Sequence, residues 1–289
     1  MMNVTTRAKV NLHLDILRRR SDGFHEIETI YQSIDLADRM EIEFTRDGVV
    51  AIECDDSRIP TDERNICHQA VVAMRHYAGT ELGARVRLHK NIPIESGLGG
   101  GSANAAGVLL AAREALRIDV SVEELETTAA TLGSDVPFML YGGTFLGRGR
   151  GEILTRLEPL ASGWFLIVKP DVNISTAWAY AGFNSRLTKH RPRINLRSVT
   201  SVLARFPAVS APFRNALEDV VCPSHPAVAN VLDALISESP CFASMSGRGS
   251  AVFAVFESKA EAVRVAERFS VGGFFSSVVT PAKRAIDIE

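Results

Sequence analysis

The sequence predicts an α+β protein with two domains, and three patterns support this fold class. Apolar and polar residues alternate from Val4 to Leu17, as in a strand, and further strand and turn signals follow. A strand, a glycine-rich loop and an apolar helix succeed one another between Ala84 and Leu116. Beyond residue 170, helices and strands are mixed in the order of a small α+β domain. We therefore place the domains at residues 1–170 and 171–289.

The first half is predicted to begin as an antiparallel β layer and to continue into helices. The predicted strands are Val4–Leu17, Ile27–Tyr31, Met40–Phe44, Val49–Cys54 and Ala84–Lys90. The third and fourth strands would form a hairpin around Asp47-Gly48. The predicted helices are Glu63–Tyr77, Ser102–Leu116 and a segment from Ser121 to Gly133. Asp62 is the predicted N-cap of the first helix, and Ser121 forms a capping box with Glu124.

The first domain is predicted to end with the strands Thr144–Leu146, Glu152–Leu157 and Trp164–Val168. In the second half, the predicted strands are Phe242–Met245, Ala251–Phe256 and Phe274–Thr280. The predicted helices are Thr176–Asn184, Asn195–Arg205, Pro226–Ser237 and one capped by Ser258. The strand at 164–168 would end the first domain. The basic run from Arg186 to Arg197 would be a solvated connector, which is the usual role of such runs.

The glycine-rich loop within Ile92–Ala106 is the most informative stretch. It contains Gly97, Gly99, Gly100 and Gly101, and a helix opens directly after it at Ser102. Glycines let another group approach the backbone closely, and the first helical turn has unpaired N–H groups and a partial positive charge. Such a unit binds anions, phosphates above all. The alternative is a turn that only lets the helix pack on the sheet, since the loop fits neither the P-loop nor the G-x-G-x-x-G pattern.

The composition excludes several classes of function. The chain has 289 residues, of which 46% are hydrophobic, enough for one large or two modest cores. A net charge of −2 gives no basic field for nucleic acid. The four cysteines form no C-x-x-C motif, which favours free thiols in a reducing compartment. Without an apolar signal core or a membrane-spanning run, we expect a cytoplasmic protein with neither nucleic-acid nor membrane partners.

Local pattern alone gives the polar residues ordinary structural roles. Lys9 and Asn11 lie two residues apart on one face of the first strand, where a solvated face is the alternative to function. Asp135 precedes apolar residues and Pro137 at the start of a helical turn, so an ordinary N-cap is the favoured interpretation.

Three segments resemble the motifs of the GHMP small-molecule kinases, at similar intervals. They are Ala8-Lys9-Val10-Asn11-Leu12, Gly97-Leu98-Gly99-Gly100-Gly101-Ser102-Ala103 and Met245-Ser246-Gly247-Arg248-Gly249-Ser250. The resemblance implies an N-terminal domain of the ribosomal-protein-S5-like type, a ferredoxin-like C-terminal domain and an active site in the cleft between them. Asp22-Gly23-Phe24-His25 and Gly133–Phe138 look like the members that act in the non-mevalonate isoprenoid pathway. That likeness implies transfer of the γ-phosphoryl group of ATP, with Mg²⁺, to a hydroxyl of a methylerythritol unit carrying a cytidine diphosphate group.

The resemblance also implies roles for individual residues. Asp135 would be the general base, Lys9 would lie beside it near the γ-phosphate, and Asn11 would help to place the acceptor. Residues implied to contact ATP are Asn65, Ile66, Lys90, Pro93, Gly97, Leu98, Gly99, Gly100, Gly101, Ser102 and Ala103. Residues implied to bind the acceptor substrate are Asn11, Phe24, His25, Thr176 and Tyr180. Phe24 and Tyr180 would stack on the cytosine, His25 would bond its edge, and no side chain is predicted as a metal ligand.

Two residues depart from the GHMP pattern, and two other functions stay open. Arg248 stands where a serine or another small residue is usual, and would reach a phosphate or point to solvent. Glu95 precedes the glycine loop, which is unfavourable unless the carboxylate faces away or helps to bind Mg²⁺. One alternative is a GHMP kinase for another small alcohol, which needs no residues that recognise a cytosine base. The other is a nucleotide-binding sensor on the same fold that has lost catalysis.

Overall fold

The computed structural model consists of two β-sheets covered by helices, and it describes residues 1–160, 162–184, 196–207 and 213–289. The strands are β1 Met2–Arg19, β2 His25–Thr45, β3 Val50–Cys54, β4 Gly83–His89, β5 Thr144–Arg148, β6 Ile153–Arg156, β7 Trp164–Lys169, β8 Phe242–Met245, β9 Val252–Phe256, β10 Phe275–Val279 and β11 Ile286–Ile288. The helices are α1 Ile66–Ala78, α2 Gly100–Ala115, α3 Val122–Leu132, α4 Val136–Tyr141, α5 Thr176–Asn184, α6 Leu196–Leu203, α7 Glu218–Ser224, α8 Pro226–Ser237 and α9 Lys259–Val271. The predicted basic connector lies outside the described residues, except for the backbone of its last two positions.

The first sheet is built around a long antiparallel hairpin of β1 and β2. Its strand order is β11-β1-β2-β4-β3, with β5 also paired to β2 and β6 to β5. The register of β1 on β2 shifts on both sides of the Lys9–Asn11 segment, and such irregularities re-aim side chains. The middle of β1 is covered on both faces, and Lys9 and Asn11 are each only 3% exposed. The solvated strand face considered from the alternation is therefore wrong.

The predicted hairpin around Asp47-Gly48 does not form. β3 pairs in parallel with β4, and β4 occupies the edge of β2 where the hairpin partner would lie. The antiparallel register of β2 on β4 pairs Met40 with Leu88. Sequence alternation identifies these strands but cannot order them, because a short connection between two strands does not oblige them to pair.

The second sheet contains β7, the strand predicted to end the first domain. Its order is β10-β7-β9-β8, with all neighbours antiparallel. Conversely, β11 lies at the end of the chain but belongs to the first sheet, where it pairs with β1. The domain limits 1–170 and 171–289 stay a prediction, and the sheets exchange strands across them. The α+β fold class and the strand and helix types of the second half agree with prediction.

Helix ends agree with the predicted capping at some positions and differ from it at others. The Ser121–Glu124 capping box and the Ser258 cap are both present. The first helix begins later than predicted, because Asn65 rather than Asp62 is its N-cap and accepts a hydrogen bond from the Cys67 amide. The Asp62 carboxylate instead binds the backbone and guanidinium of Arg64.

None of the helices among the described residues is long and apolar enough by itself to cross a membrane. The consecutive helices α7 and α8 satisfy that test together only by length and composition, and they are bent by 112°. Most of their large apolar side chains, including Val221 and Leu235, are buried in the core beneath the second sheet, and Ile236 is exposed.

The return of the C-terminal strand to the first sheet gives a stability prediction. Gly142 has φ of 67°, and a Cβ there would lie 2.0 Å from the Ala285 backbone nitrogen. Gly273 has φ of 79°, and a Cβ built on it would have nothing within 4 Å. Both Gly→Ala changes carry the left-handed penalty, but only Gly142→Ala adds a backbone clash. We expect Gly142→Ala to lower the free energy of unfolding by about 1–3 kcal/mol more than Gly273→Ala, measured by urea denaturation. Equal losses would mean that this approach of the two segments is wrong.

Candidate active site

The glycine loop borders a cleft of about 1010 Å³ between the first sheet and the helices and loops of the second half. Predicted site residues on its lining are Lys9, Asn11, Phe24, His25, Asn65, Ile66, Lys90, Pro93, Gly97, Gly99, Gly100, Gly101, Ser102, Asp135, Thr176 and Tyr180. Leu98 and Ala103 are the two predicted residues that do not line it, since their side chains are buried in the cores. They can contribute to the site through their backbone alone.

The glycine loop is held against the loop that follows β8. Gly97 has φ of 79°, and a Cβ on it would lie 2.1 Å from the Ser246 carbonyl oxygen. The Ser246 hydroxyl donates to the Gly97 carbonyl oxygen at 3.0 Å. The Lys9 amide donates to the Leu98 carbonyl oxygen at 2.9 Å, so the first and third motifs of the resemblance both meet the second here. Gly99 adopts φ of 73° as the N-cap of α2, so the helix begins at Gly100, two residues earlier than predicted.

Lys9 and Asp135 lie together at the floor of the cleft. Lys9 Nζ is 3.3 Å from Asp135 Oδ2 and donates to Asn11 Oδ1 at 2.6 Å. Asn11 Nδ2 donates to the Thr29 hydroxyl at 2.7 Å, which fixes the amide. The Asp135 side chain keeps 30% of its surface exposed, whereas that of Lys9 keeps 4%. A carboxylate that solvent and ligand can reach therefore contacts a buried ammonium.

Asp135 occupies an N-cap position without acting as a cap. It directly precedes α4, yet its side chain makes no capping hydrogen bond. The Tyr31 hydroxyl donates to Asp135 Oδ1 at 3.0 Å, and the other oxygen faces Lys9. The ordinary cap favoured by the local pattern is therefore wrong, because tertiary partners on β1 and β2 take both carboxylate oxygens.

Burial shapes the electrostatics of this group. It lowers the pKa of the Lys9 ammonium, and the nearby Asp135 carboxylate opposes that shift. Burial and the same carboxylate hold the pKa of Tyr31 well above its usual value. The Tyr31 hydroxyl therefore keeps its proton at neutral pH and remains a hydrogen-bond donor to Asp135.

Aromatic side chains line another part of the cleft. Phe24 is 51% exposed, and the Arg150 guanidinium lies 4.8 Å from the centroid of its ring. His25 is buried, and its ring centroid is 5.2 Å from that of Tyr180 with the planes 31° apart. Thr176 is exposed at the start of α5. The structure thus brings the predicted base-reading residues to one cleft, while their roles stay predictions.

Two residues predicted to contact ATP also have structural partners. Lys90 Nζ forms an ion pair with the fully buried Asp38 carboxylate, which also accepts from the Ile92 amide at 2.8 Å. Asn65 Oδ1 accepts from the Cys67 amide at 2.8 Å, and its Nδ2 donates to the Pro60 carbonyl at 2.7 Å. Both ends of the Asn65 amide are therefore already engaged.

The sequence does not identify Tyr31 and Arg150, which line the cleft, or Asp38, the buried partner of Lys90. The alternation identifies Tyr31 only as a strand residue, and its register opposite Asn11 would be the signal. That register depends on the bulges in β1, which no local pattern predicts. Arg150 lies in a glycine-rich stretch whose sequence is typical of a flexible turn.

Comparison with known proteins shows the class to which the chain belongs. The family model described as "GHMP kinases N terminal domain" matches residues 65–143, and the one described as "GHMP kinases C terminal" matches residues 205–272. Together with the two-sheet fold and the cleft, these matches define a small-molecule kinase of the GHMP class. The fold predicted from the resemblance is thereby confirmed.

Individual relatives indicate which family of GHMP kinases the chain belongs to. A 4-diphosphocytidyl-2-C-methyl-D-erythritol kinase from Geobacter sulfurreducens is 37% identical over 94% of this chain and 96% of its own length. A protein of the same name from Chlorobaculum tepidum is 39% identical over 97% of both chains. The crystal structure of a 4-(cytidine 5'-diphospho)-2C-methyl-D-erythritol kinase superposes with a TM-score of 0.81 at 31% identity, covering 96% of this chain and 99% of its own. The chain belongs to the family of 4-diphosphocytidyl-2-C-methyl-D-erythritol kinases.

The hydroxyl of Tyr31 gives a prediction about the rate of the kinase reaction. It donates to Asp135 Oδ1 at 3.0 Å and so holds the carboxylate in one orientation. We expect Tyr31→Phe to reduce kcat by about tenfold, because this hydrogen bond is lost. Tyr77→Phe is the matched control, since its hydroxyl bonds Thr128 at 2.8 Å away from the cleft. An unchanged kcat in Tyr31→Phe would contradict the contribution of this hydrogen bond.

Proposed function

We propose that the chain transfers the γ-phosphoryl group of ATP to the 2-hydroxyl of 4-diphosphocytidyl-2-C-methyl-D-erythritol, in the non-mevalonate isoprenoid pathway. The observation that carries the proposal is that one cleft joins a glycine loop, the Lys9–Asp135 pair and the aromatic group of Phe24, His25 and Tyr180. The names of the relatives at 37% and 39% identity support the same substrate.

The proposed chemistry needs positioning and charge neutralisation more than covalent work by the protein. Asp135 takes the proton of the attacking hydroxyl, and the exposed part of its carboxylate provides the access. Lys9, at 3.3 Å, orients that hydroxyl and offsets charge developing near the γ-phosphate. Asn11, held by Lys9 and Thr29, places the acceptor.

ATP phosphates are proposed to lie at the start of α2. The residues Gly99 to Ser102 line the cleft there or contribute the first helical turn, whose N–H groups lack helical partners. The engaged Asn65 amide favours contact with the adenine through backbone groups and through Ile66 and Pro93. Lys90 lies on the same side of the cleft, where it forms an ion pair with Asp38.

Mg²⁺ is proposed to accompany ATP, held chiefly by phosphate oxygens and water. Within the described ranges, no group of three or more His, Cys, Asp or Glu side chains is placed to hold a metal ion. The oxygen-rich phosphates of ATP are the ligands that Mg²⁺ prefers, and the ion neutralises phosphate charge when bound.

The cytidine end of the substrate is proposed to be read by the aromatic group. Stacking of a base on an aromatic ring contributes about 1–3 kcal/mol. Phe24 offers an exposed ring, and the packing of His25 on Tyr180 fixes the imidazole for a hydrogen bond to the base edge. A kinase for another small alcohol has no use for this group, and a sensor has no use for the paired Lys9 and Asp135. The four cysteines are free, which supports the proposed cytoplasmic location.

The decisive test of the substrate is ATP consumption by the purified protein with Mg²⁺. We expect turnover with 4-diphosphocytidyl-2-C-methyl-D-erythritol and none with homoserine, mevalonate or galactose, because only the first carries a base for Phe24 and His25. Turnover with one of the other alcohols would keep the kinase and exclude the base-reading role. Nucleotide binding without turnover of any compound would favour the sensor.

The general base gives a second prediction. We expect Asp135→Asn to reduce kcat by about 100- to 10,000-fold while the affinity for ATP stays close to that of the parent, because the amide cannot accept the proton. Asp119→Asn, an exposed change away from the cleft with the same loss of charge, should leave kcat unchanged. Single-turnover kinetics and calorimetry separate the two quantities. A rate for Asp135→Asn near that of the parent would exclude the assignment.

A further inference from the structure

Arg248 is a charged residue of the cleft that forms no ion pair with any described residue. It lies in the loop between β8 and β9 and lines the same cleft as Lys9 and Asp135. Its Nε donates to the Ile174 carbonyl oxygen at 2.6 Å. Within the described part of the chain, the other two guanidinium nitrogens have neither a hydrogen-bonding nor an ion-pairing partner. A planar cation on the cleft lining therefore has two free terminal N–H groups.

The backbone that carries Arg248 is firmly anchored. Asn215 Nδ2 donates to the Met245 and Gly247 carbonyl oxygens at 2.8 and 2.6 Å. On the other side of the arginine, the Ser250 hydroxyl donates to the Val172 carbonyl. A Cβ on Gly247 would lie 3.4 Å from Lys9 Nζ. The residue before Arg248 is therefore close to the Lys9 ammonium. The guanidinium thus starts from a fixed point beside the Lys9–Asp135 pair.

Leaving a partly buried cation without a partner is unfavourable. Burial lowers the pKa of the Arg248 guanidinium, and the carboxylates of Glu95 and Asp135 offset that shift only from a distance. An anionic ligand would complete the surroundings of this cation, and phosphate oxygens match the paired N–H groups of a guanidinium.

We propose that Arg248 binds phosphate oxygens of a substrate in this cleft. The inference rests on the proposed function, which brings two phosphate sources into reach: the terminal phosphate of ATP and the diphosphate of the cytidylyl substrate. Lys9 is shared between Asp135 and Asn11, whereas the terminal N–H groups of Arg248 have no competing partner among the residues that the structure describes.

Nucleotide affinities measured by calorimetry distinguish the two sources of phosphate, ATP and the cytidylyl substrate. The parent is compared with Arg248→Ser, Arg248→Lys and the charge-matched control Arg85→Ser, whose side chain is 58% exposed on β4. The probes are ADP, a β,γ-imido analogue of ATP, and CDP. If the arginine binds the terminal phosphate of ATP, Arg248→Ser weakens only the ATP analogue, by about 10- to 100-fold. If it binds the diphosphate of the acceptor, the same loss falls on CDP alone.

Steady-state kinetics provide the second readout. We expect Arg248→Ser to reduce kcat/KM for the cytidylyl substrate or for ATP by a factor similar to the affinity loss, and Arg248→Lys to recover part of it, because the charge remains but the fork is lost. Arg85→Ser should match the parent. Unchanged affinities for all three probes together with an unchanged kcat/KM in Arg248→Ser would overturn the inference. Failure of the parent itself to phosphorylate the cytidylyl alcohol would instead overturn the proposed function, and the binding arms would still decide the role of Arg248.

Discussion

Burial of the Lys9 ammonium is the constraint on which the rest of the site depends. A charged amine inside a protein is tolerated only when polar partners replace its water. Lys9 finds them in Asp135 and Asn11, and each of these is fixed in turn, Asp135 by Tyr31 and Asn11 by Thr29. One cation therefore couples β1, β2 and the start of α4. The same arrangement that satisfies the lysine leaves one face of the Asp135 carboxylate open to the cleft.

A second coupling joins the two halves of the chain. The glycine loop of the first half and the loop after β8 touch backbone to backbone at Gly97 and Ser246, a contact too close for any side chain at residue 97. Asn215 holds the β8–β9 side of this contact through two carbonyl groups. Glycine at 97 is thus required by the close approach of two loops, and the loop sequence alone does not reveal this requirement.

The type of most elements can be predicted from the sequence, because alternation, capping boxes and glycine punctuation are local. Predictions fail where a distant segment decides the outcome. β3 pairs with β4 instead of β2, and Asp135 has the position of a cap but directs its oxygens to Lys9 and Tyr31. Likeness to a family assigns Lys9, Asp135 and the glycine loop to one site although they lie far apart in the chain. Neither local pattern nor likeness to a family identifies Tyr31, because its position beside Asn11 depends on a register set by bulges in β1.

The parts of the cleft differ in how strongly the fold constrains them. A buried polar network beneath the start of the glycine loop consists of Asp38, Asn104 and Lys90. A change in any one of them leaves a buried polar group without its partner. At the edges, Phe24 is half exposed and Arg248 holds one carbonyl group. Substitutions there leave few groups unsatisfied. The buried groups are thereby fixed by interactions that the fold requires, whereas side chains at the edges can be exchanged with less loss of stability, so that one fold can carry sites of different specificity.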